Sequence, residues 1–113
     1  MTTAEWDALP HTITTFMTAL DAREVDQTLA TLAPDAVVTD EGHDYTGHDQ
    51  IGKWVATAAA EYTYTAEITG ATTTDTGVVV TQHLKGDFPG GVADLNYRFT
   101  LDGALISRVV IEP

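Results

Sequence analysis

The densest run of side chains able to do chemistry is Asp40-Glu-Gly-His-Asp-Tyr-Thr-Gly-His-Asp49, with three aspartates, one glutamate, two histidines and Gly-His-Asp twice. Two chemistries suit such a run: metal ligation and proton transfer. A metal site needs three or four ligands converging on one point. Here His43 and His48 stand five residues apart across a turn, and neither HExxH nor the EF-hand spacing occurs. No tightly bound metal is therefore expected. Gly42 suits a bend that needs positive φ, and Gly47 suits a tight start to the next helix. Asp49 falls in that helix's first turn, where a carboxylate complements the N-terminal dipole. Most of the run reads as connection.

Asp40 reads differently. On a strand of period two, Val38 and Asp40 share one face while Val37 and Thr39 share the other. If Val38 points into the domain, Asp40 does too. A carboxylate beside an apolar cavity can abstract a proton next to a carbonyl, as a general base. The alternative is a strand-end aspartate that caps its own turn. Further along, Leu95, Tyr97 and Phe99 share a strand face, as do Val79, Thr81 and His83. His83 could carry a proton near a pocket or lie partly exposed on a backbone partner. Phe16 and Trp54 suit either core or pocket wall.

These residues need elements to hold them. Trp6, Leu9, Ile13, Phe16, Met17 and Leu20 recur at helical spacing, with the main helix expected to start near Pro10. Val25, Leu29 and Leu32 mark a second, shorter helix closed by Pro34. A short strand is expected over 36–40, with 44–46 returning beside it. Ile51, Trp54, Val55, Ala58 and Ala59 lie on one face of a third helix. From Tyr62 the period becomes two, and strands are expected over 62–73, 78–85, 92–101 and 105–111. Asp75-Thr-Gly77, the segment 86–91 and Asp102-Gly103 separate them as turns. The segment 86–91, with Phe88-Pro89, suits a pocket cover or a plain hairpin end. Three helices ahead of an antiparallel meander make a single α+β domain over residues 1–113.

Composition narrows the function classes. Seventeen acidic residues against five Lys+Arg give a formal net charge of -12. Such a surface repels phosphate backbones and anionic membranes, so neither nucleic acid nor a membrane is an expected partner. No cysteine is present, which removes disulfides and thiolate chemistry. No apolar run has transmembrane length and no secretory signal pattern is visible, so the default expectation is a cytoplasmic protein.

The order of elements resembles the nuclear transport factor 2-like (NTF2-like) superfamily, in particular its SnoaL-like and ketosteroid-isomerase-like members. The resemblance rests on Phe16-Met-Thr-Ala-Leu-Asp-Ala-Arg-Glu24, Leu32-Ala-Pro-Asp-Ala-Val-Val-Thr-Asp40, and Tyr45-Thr-Gly47 followed by Ile51. Tyr97-Arg-Phe-Thr-Leu-Asp-Gly103 and Ile106-Ser-Arg108 extend it to nearly the whole chain. It implies a cone in which the three N-terminal helices pack on a curved antiparallel sheet around a pocket for an apolar or aromatic small molecule. It also implies pairing into a homodimer through the sheet's outer face, where Val92, Ile106 and Val110 are expected. No cofactor is implied. In ketosteroid isomerases a general-base aspartate occupies the position matching Asp40. The tyrosine and aspartic acid that hold their enolate match Phe16 and Leu95 here, which cannot donate hydrogen bonds. The expected pocket lining is Phe16, Val38, Trp54, Val55, Tyr64, His83, Leu95 and Tyr97, with Asp40 as the catalytic candidate. Two functions follow: a cofactor-independent isomerase or cyclase, or a non-catalytic binding or assembly module.

Overall fold

A computed structural model of the chain describes residues 2–3, 8–57 and 64–113. The first helix, α1 (His11–Asp21), starts behind Pro10, whose φ of -52° already suits a helix and whose carbonyl accepts from Ile13 N at 2.9 Å. It buries Ile13, Phe16, Met17, Ala19 and Leu20, which recur at three- and four-residue spacing. Two backbone bonds close it, Glu24 N to Ala19 O at 2.9 Å and Arg23 N to Leu20 O at 3.0 Å, with Arg23 left-handed at φ 58°. The second helix, α2 (Val25–Ala30), follows directly.

The strand after it, β2, spans Leu32–Asp40 and so starts earlier than the apolar run suggests. Pro34 does not close α2; it lies inside β2. Its missing N–H is harmless because the pairing of β2 shifts register between Leu32 and Val37. The strand β3 (His43–Thr46) returns antiparallel through a two-residue turn, Glu41 at φ 53° and Gly42 at φ 78°. Two consecutive positive φ values give the turn twist that fits a tight hairpin. The helix α3 (Gly47–Thr57) then buries Ile51, Trp54 and Val55.

The long strands are β4 (Tyr64–Thr73), β5 (Gly77–Gly86), β6 (Val92–Asp102) and β7 (Leu105–Glu112). The N-terminal pair β1 (Thr2–Thr3) adds to β4, and the sheet runs β1-β4-β5-β6-β7-β2-β3. The three helices pack on this curved sheet in the expected cone. One pairing departs from the expected antiparallel pattern: β2 and β7 are parallel. β7 slots between β6, to which a tight hairpin joins it antiparallel, and β2, to which no hairpin joins it, so the connection does not impose the antiparallel sense on that seam. Ile106 N donates to Thr31 O at 2.9 Å and pins the start of that seam. No helix among the described residues is long and apolar enough to cross a membrane.

Two side chains expected on one face lie on the other. Ile106, expected outside, is fully buried in the core together with Val109, three residues on. A bulge between Thr100 and Leu101 in the β6–β7 ladder breaks the alternation there. His83 is the reverse case: the inward residues of β5 are Val78, Val80 and Gln82, so His83 faces out. Trp6, expected on the first helical stripe, and Ala58, Ala59 and Tyr62, expected at the end of the third helix and the start of the first long strand, lie outside the described residues.

Candidate functional site

Asp40 ends the inward face of β2, two residues after the fully buried Val38. Its carboxylate meets α3. Trp54, seven residues into that helix, donates its indole Nε1–H to Asp40 Oδ2 at 3.0 Å. Tyr45, opposite Val38 on β3, lies against the indole with ring centroids 6.0 Å apart and planes tilted by 34°. The hairpin turn is thus held by its own backbone, and the Asp40 side chain reaches across to the helix. Its Oδ1 has no hydrogen bond among the described residues.

Other candidate residues share the hydrophobic core with Trp54. Val38 and Val55 are fully buried, and Trp54 is nearly so. Phe16 on α1 meets Phe99 on β6 edge to face, with centroids 5.3 Å apart and planes at 82°. Tyr97 is buried, and Leu95, one alternation further along β6, is half-buried against the core. The backbone of Tyr64 opens β4, but its side chain lies outside the described residues.

His83 does not join the interior. Its Nδ1 sits 2.6 Å from Asp94 Oδ1 on the outer face, beside Thr81 Oγ1 donating to Asn96 Oδ1 at 2.9 Å. Arg98 continues that polar row with a bond to Glu112. On the same side of the sheet, Thr39 donates to Asp44 and accepts from Arg108.

One interior polar group escaped the sequence reading. Gln82 lies on the inward face of β5 and is only 1% exposed. Its Nε2 donates to Asp21 at the end of α1, 3.0 Å from Oδ2 and 3.4 Å from Oδ1. Its Oε1 is buried with no hydrogen-bond partner. Burial against the sheet pushes the Asp21 carboxyl above its ordinary value, while the bond from Gln82 pulls it down less strongly. Val78, Val80 and Leu84 share the phase of Gln82, but Val79 gives the phase of His83 an apolar residue too, so alternation did not separate the two.

Among the described residues no three His, Asp or Glu side chains converge as metal ligands. His43 is exposed on β3, and His48 Nε2 lies 3.1 Å from Leu32 O in the first turn of α3. An open groove of about 260 Å³ runs between α1 and α2, lined by His11, Thr14, Thr15, Thr18, Ala19 and Gln27. It shares no residue with the Asp40–Trp54 pair, and no candidate chemistry from the sequence reaches it.

Comparison with known proteins agrees with this fold. The profile of the SnoaL-like domain matches residues 13–109. A Sinorhizobium meliloti protein named as a candidate polyketide cyclase superposes with a TM-score of 0.89 at 31% identity, over 96% of this chain and 100% of that one. A Catenulispora acidiphila protein with a ketosteroid isomerase-like fold, solved with trimethylamine, gives 0.80 at 19% identity, over 94% and 87%. A Mycobacterium tuberculosis protein in complex with estradiol-17β-hemisuccinate gives 0.74 at 15%, over 90% of both chains. No protein of curated function matches.

Proposed function

The chain belongs to the SnoaL-like domain family, and from that premise we propose that its cone binds a small apolar or aromatic molecule on which Asp40 acts as a general base. The observation that carries this reading is the Trp54–Asp40 bond at 3.0 Å. One carboxylate oxygen is anchored by the indole, and the other carries no hydrogen bond among the described residues. A C–H next to a ligand carbonyl, placed within about 3 Å of Oδ1, would give its proton to that oxygen and leave an enolate. Returning the proton to another carbon completes an isomerisation. Attack of the enolate carbon on a carbonyl in the same molecule, with the proton passed from Asp40 to the alkoxide that forms, completes a cyclisation. Neither needs a cofactor.

Related proteins support the ligand class. One solved relative is named for polyketide cyclisation and another holds a steroid ester. The apolar character of the core side chains Phe16, Val55 and Leu95 suits contact with flat ring systems of that kind.

One observation favours a second reading. The two positions that would hold an enolate in ketosteroid isomerases are Phe16, fully buried against Phe99, and Leu95. Without donors there, proton abstraction lacks the electrostatic support that usually dominates such catalysis. A non-catalytic binding or assembly module is the alternative. Exchange of the α-protons of 2-tetralone in D2O, followed by NMR, separates the two: faster exchange with wild type than with Asp40→Asn supports the base, and equal rates leave binding alone.

For assembly, we infer a homodimer through the outer sheet face. Val92, 55% exposed, is the large apolar side chain that stands open there, next to the polar row from Thr81 to Glu112. The pairing is of second copies of this chain, and its mass is the test.

A further inference from the structure

Two neighbouring side chains, Asp21 at the exposed end of α1 and the buried Gln82, are each poorly placed for stability. Asp21 is the last residue of α1, where a carboxylate opposes the negative end of the helix dipole. Gln82 is buried on the sheet, flanked along its strand by Val80 and Leu84 and faced across it by Ile68 and Leu95. An apolar residue would fit that setting, yet the glutamine keeps Oε1 buried with no partner. A buried acceptor without a donor is costly, and native interiors seldom leave one. The two features are coupled. A carboxylate can only accept, so the bond between Asp21 and Gln82 needs the Nε2 end of the amide to face Asp21. That choice turns Oε1 the other way, into the apolar interior.

We infer that Gln82 Oε1 is the specificity-determining acceptor of the cone, taking a hydrogen bond from a hydroxyl or N–H on the ring system bound there, and that Asp21 is the residue that positions it. The inference rests on the reading of the cone as a ligand site and adds the chemical class to it. The ligand carries a donor, such as a phenol or enol, rather than only carbonyls or ethers. It also separates two tasks: Asp40 meets the carbon acid, and Gln82 sets which way the molecule lies.

The test uses two matched probes, 2-naphthol and 2-methoxynaphthalene, which share the ring system and differ in the donor. Affinities are measured by calorimetry or by NMR titration of the full chain. Wild type is expected to bind 2-naphthol about fivefold to tenfold more tightly, the discrimination one neutral hydrogen bond supports. Gln82→Leu should bring that ratio to about one while 2-methoxynaphthalene binding is kept. Because leucine suits the site, an unchanged melting temperature is expected to show that the variant is folded. In Asp21→Asn the new amide can donate to Gln82 Oε1, so the side chain can turn over and the preference should fall although Gln82 is present. A preference absent in wild type, or one that survives Gln82→Leu, overturns the inference and leaves the binding reading standing. A preference that survives Asp21→Asn overturns the positioning role. Failure of wild type to bind either probe overturns both the inference and the binding reading.

Discussion

Trp54 Nε1 stands 3.0 Å from Asp40 Oδ2, joining the middle of α3 to the end of β2 across fourteen residues of sequence. The bond does two things at once. It satisfies an indole N–H that would otherwise be buried without a partner, and it holds a carboxylate on the inner side of the sheet. The hairpin at Glu41 and Gly42 needs no help from Asp40, because both residues take positive φ.

Asp40→Asn is therefore expected to keep the fold, since the amide oxygen still accepts from Trp54. Any proton-transfer activity should be lost, because an amide takes up no proton near neutral pH. Trp54→Phe removes the donor and part of the ring packed on Tyr45. Its cost should be about 1 kcal/mol for the hydrogen bond, with a further loss from packing. Thermal unfolding of both variants is the check; an Asn variant that melts far below Trp54→Phe would show that Asp40 is structural.

Asp21 gives a pH dependence with a definite sign. Its folded carboxyl lies above its ordinary value, mainly through burial, so the fold favours the protonated form. The stability associated with that proton is fully present below the unfolded value and is lost as pH rises through the folded one. Asp21→Asn removes the penalty on the charged form, so its melting temperature should exceed that of wild type at pH 7. The difference should shrink as pH falls toward the ordinary carboxylate value of 3.8. A gap that stays constant with pH would show that Asp21 is not its source.

Gly77 is demanded by close approach. A Cβ at this position would stand 1.9 Å from the Phe99 carbonyl oxygen on the neighbouring strand. Since both atoms belong to paired backbones, neither can move without breaking the ladder between β5 and β6. Gly77→Ala is expected to destabilise by about 3 kcal/mol, the upper end for overpacking. Gly70 on β4 has nothing within 4 Å of such a Cβ, and its alanine variant should be neutral or slightly stabilising. Denaturant unfolding of the pair tests the contrast.

Light scattering at micromolar concentration should give twice the 12.1 kDa chain mass. Val92→Asp, on the outer face, should shift the mass toward the monomer without altering the helical signal. A monomeric wild type would remove the dimer.

The acidic run 40–49 should bind no divalent ion tightly, because its side chains point to different partners: Asp40 to Trp54, Asp44 to Thr39, His48 to Leu32 O. Melting temperatures with and without chelator are expected to coincide. A rise of several degrees with near-stoichiometric zinc would overturn this.

Local pattern made much of the molecule readable in advance. Helical spacing placed Ile13, Phe16, Met17 and Leu20 on one buried stripe, and alternation placed Val38, Tyr97 and Phe99 inside the sheet. Both depend on residues a few positions apart, which is all that periodicity records. Turn chemistry marked the hairpin at Glu41-Gly42 for the same reason. Where alternation was broken, the reading slipped: the bulge beside Leu101 turned Ile106 inward, and the irregular pairing of β2 let Pro34 sit within a strand. His83 and Gln82 show the limit most sharply. Adjacent residues on one strand must face opposite ways, but which of them faces the helices depends on how the whole sheet packs. Sequence therefore determined the elements, their order and the cone they build. Tertiary structure alone decided that Trp54 meets Asp40, that Asp21 meets Gln82, and that His83 is spent on Asp94 outside, because contacts between residues far apart in the chain exist only once the helices have closed on the sheet.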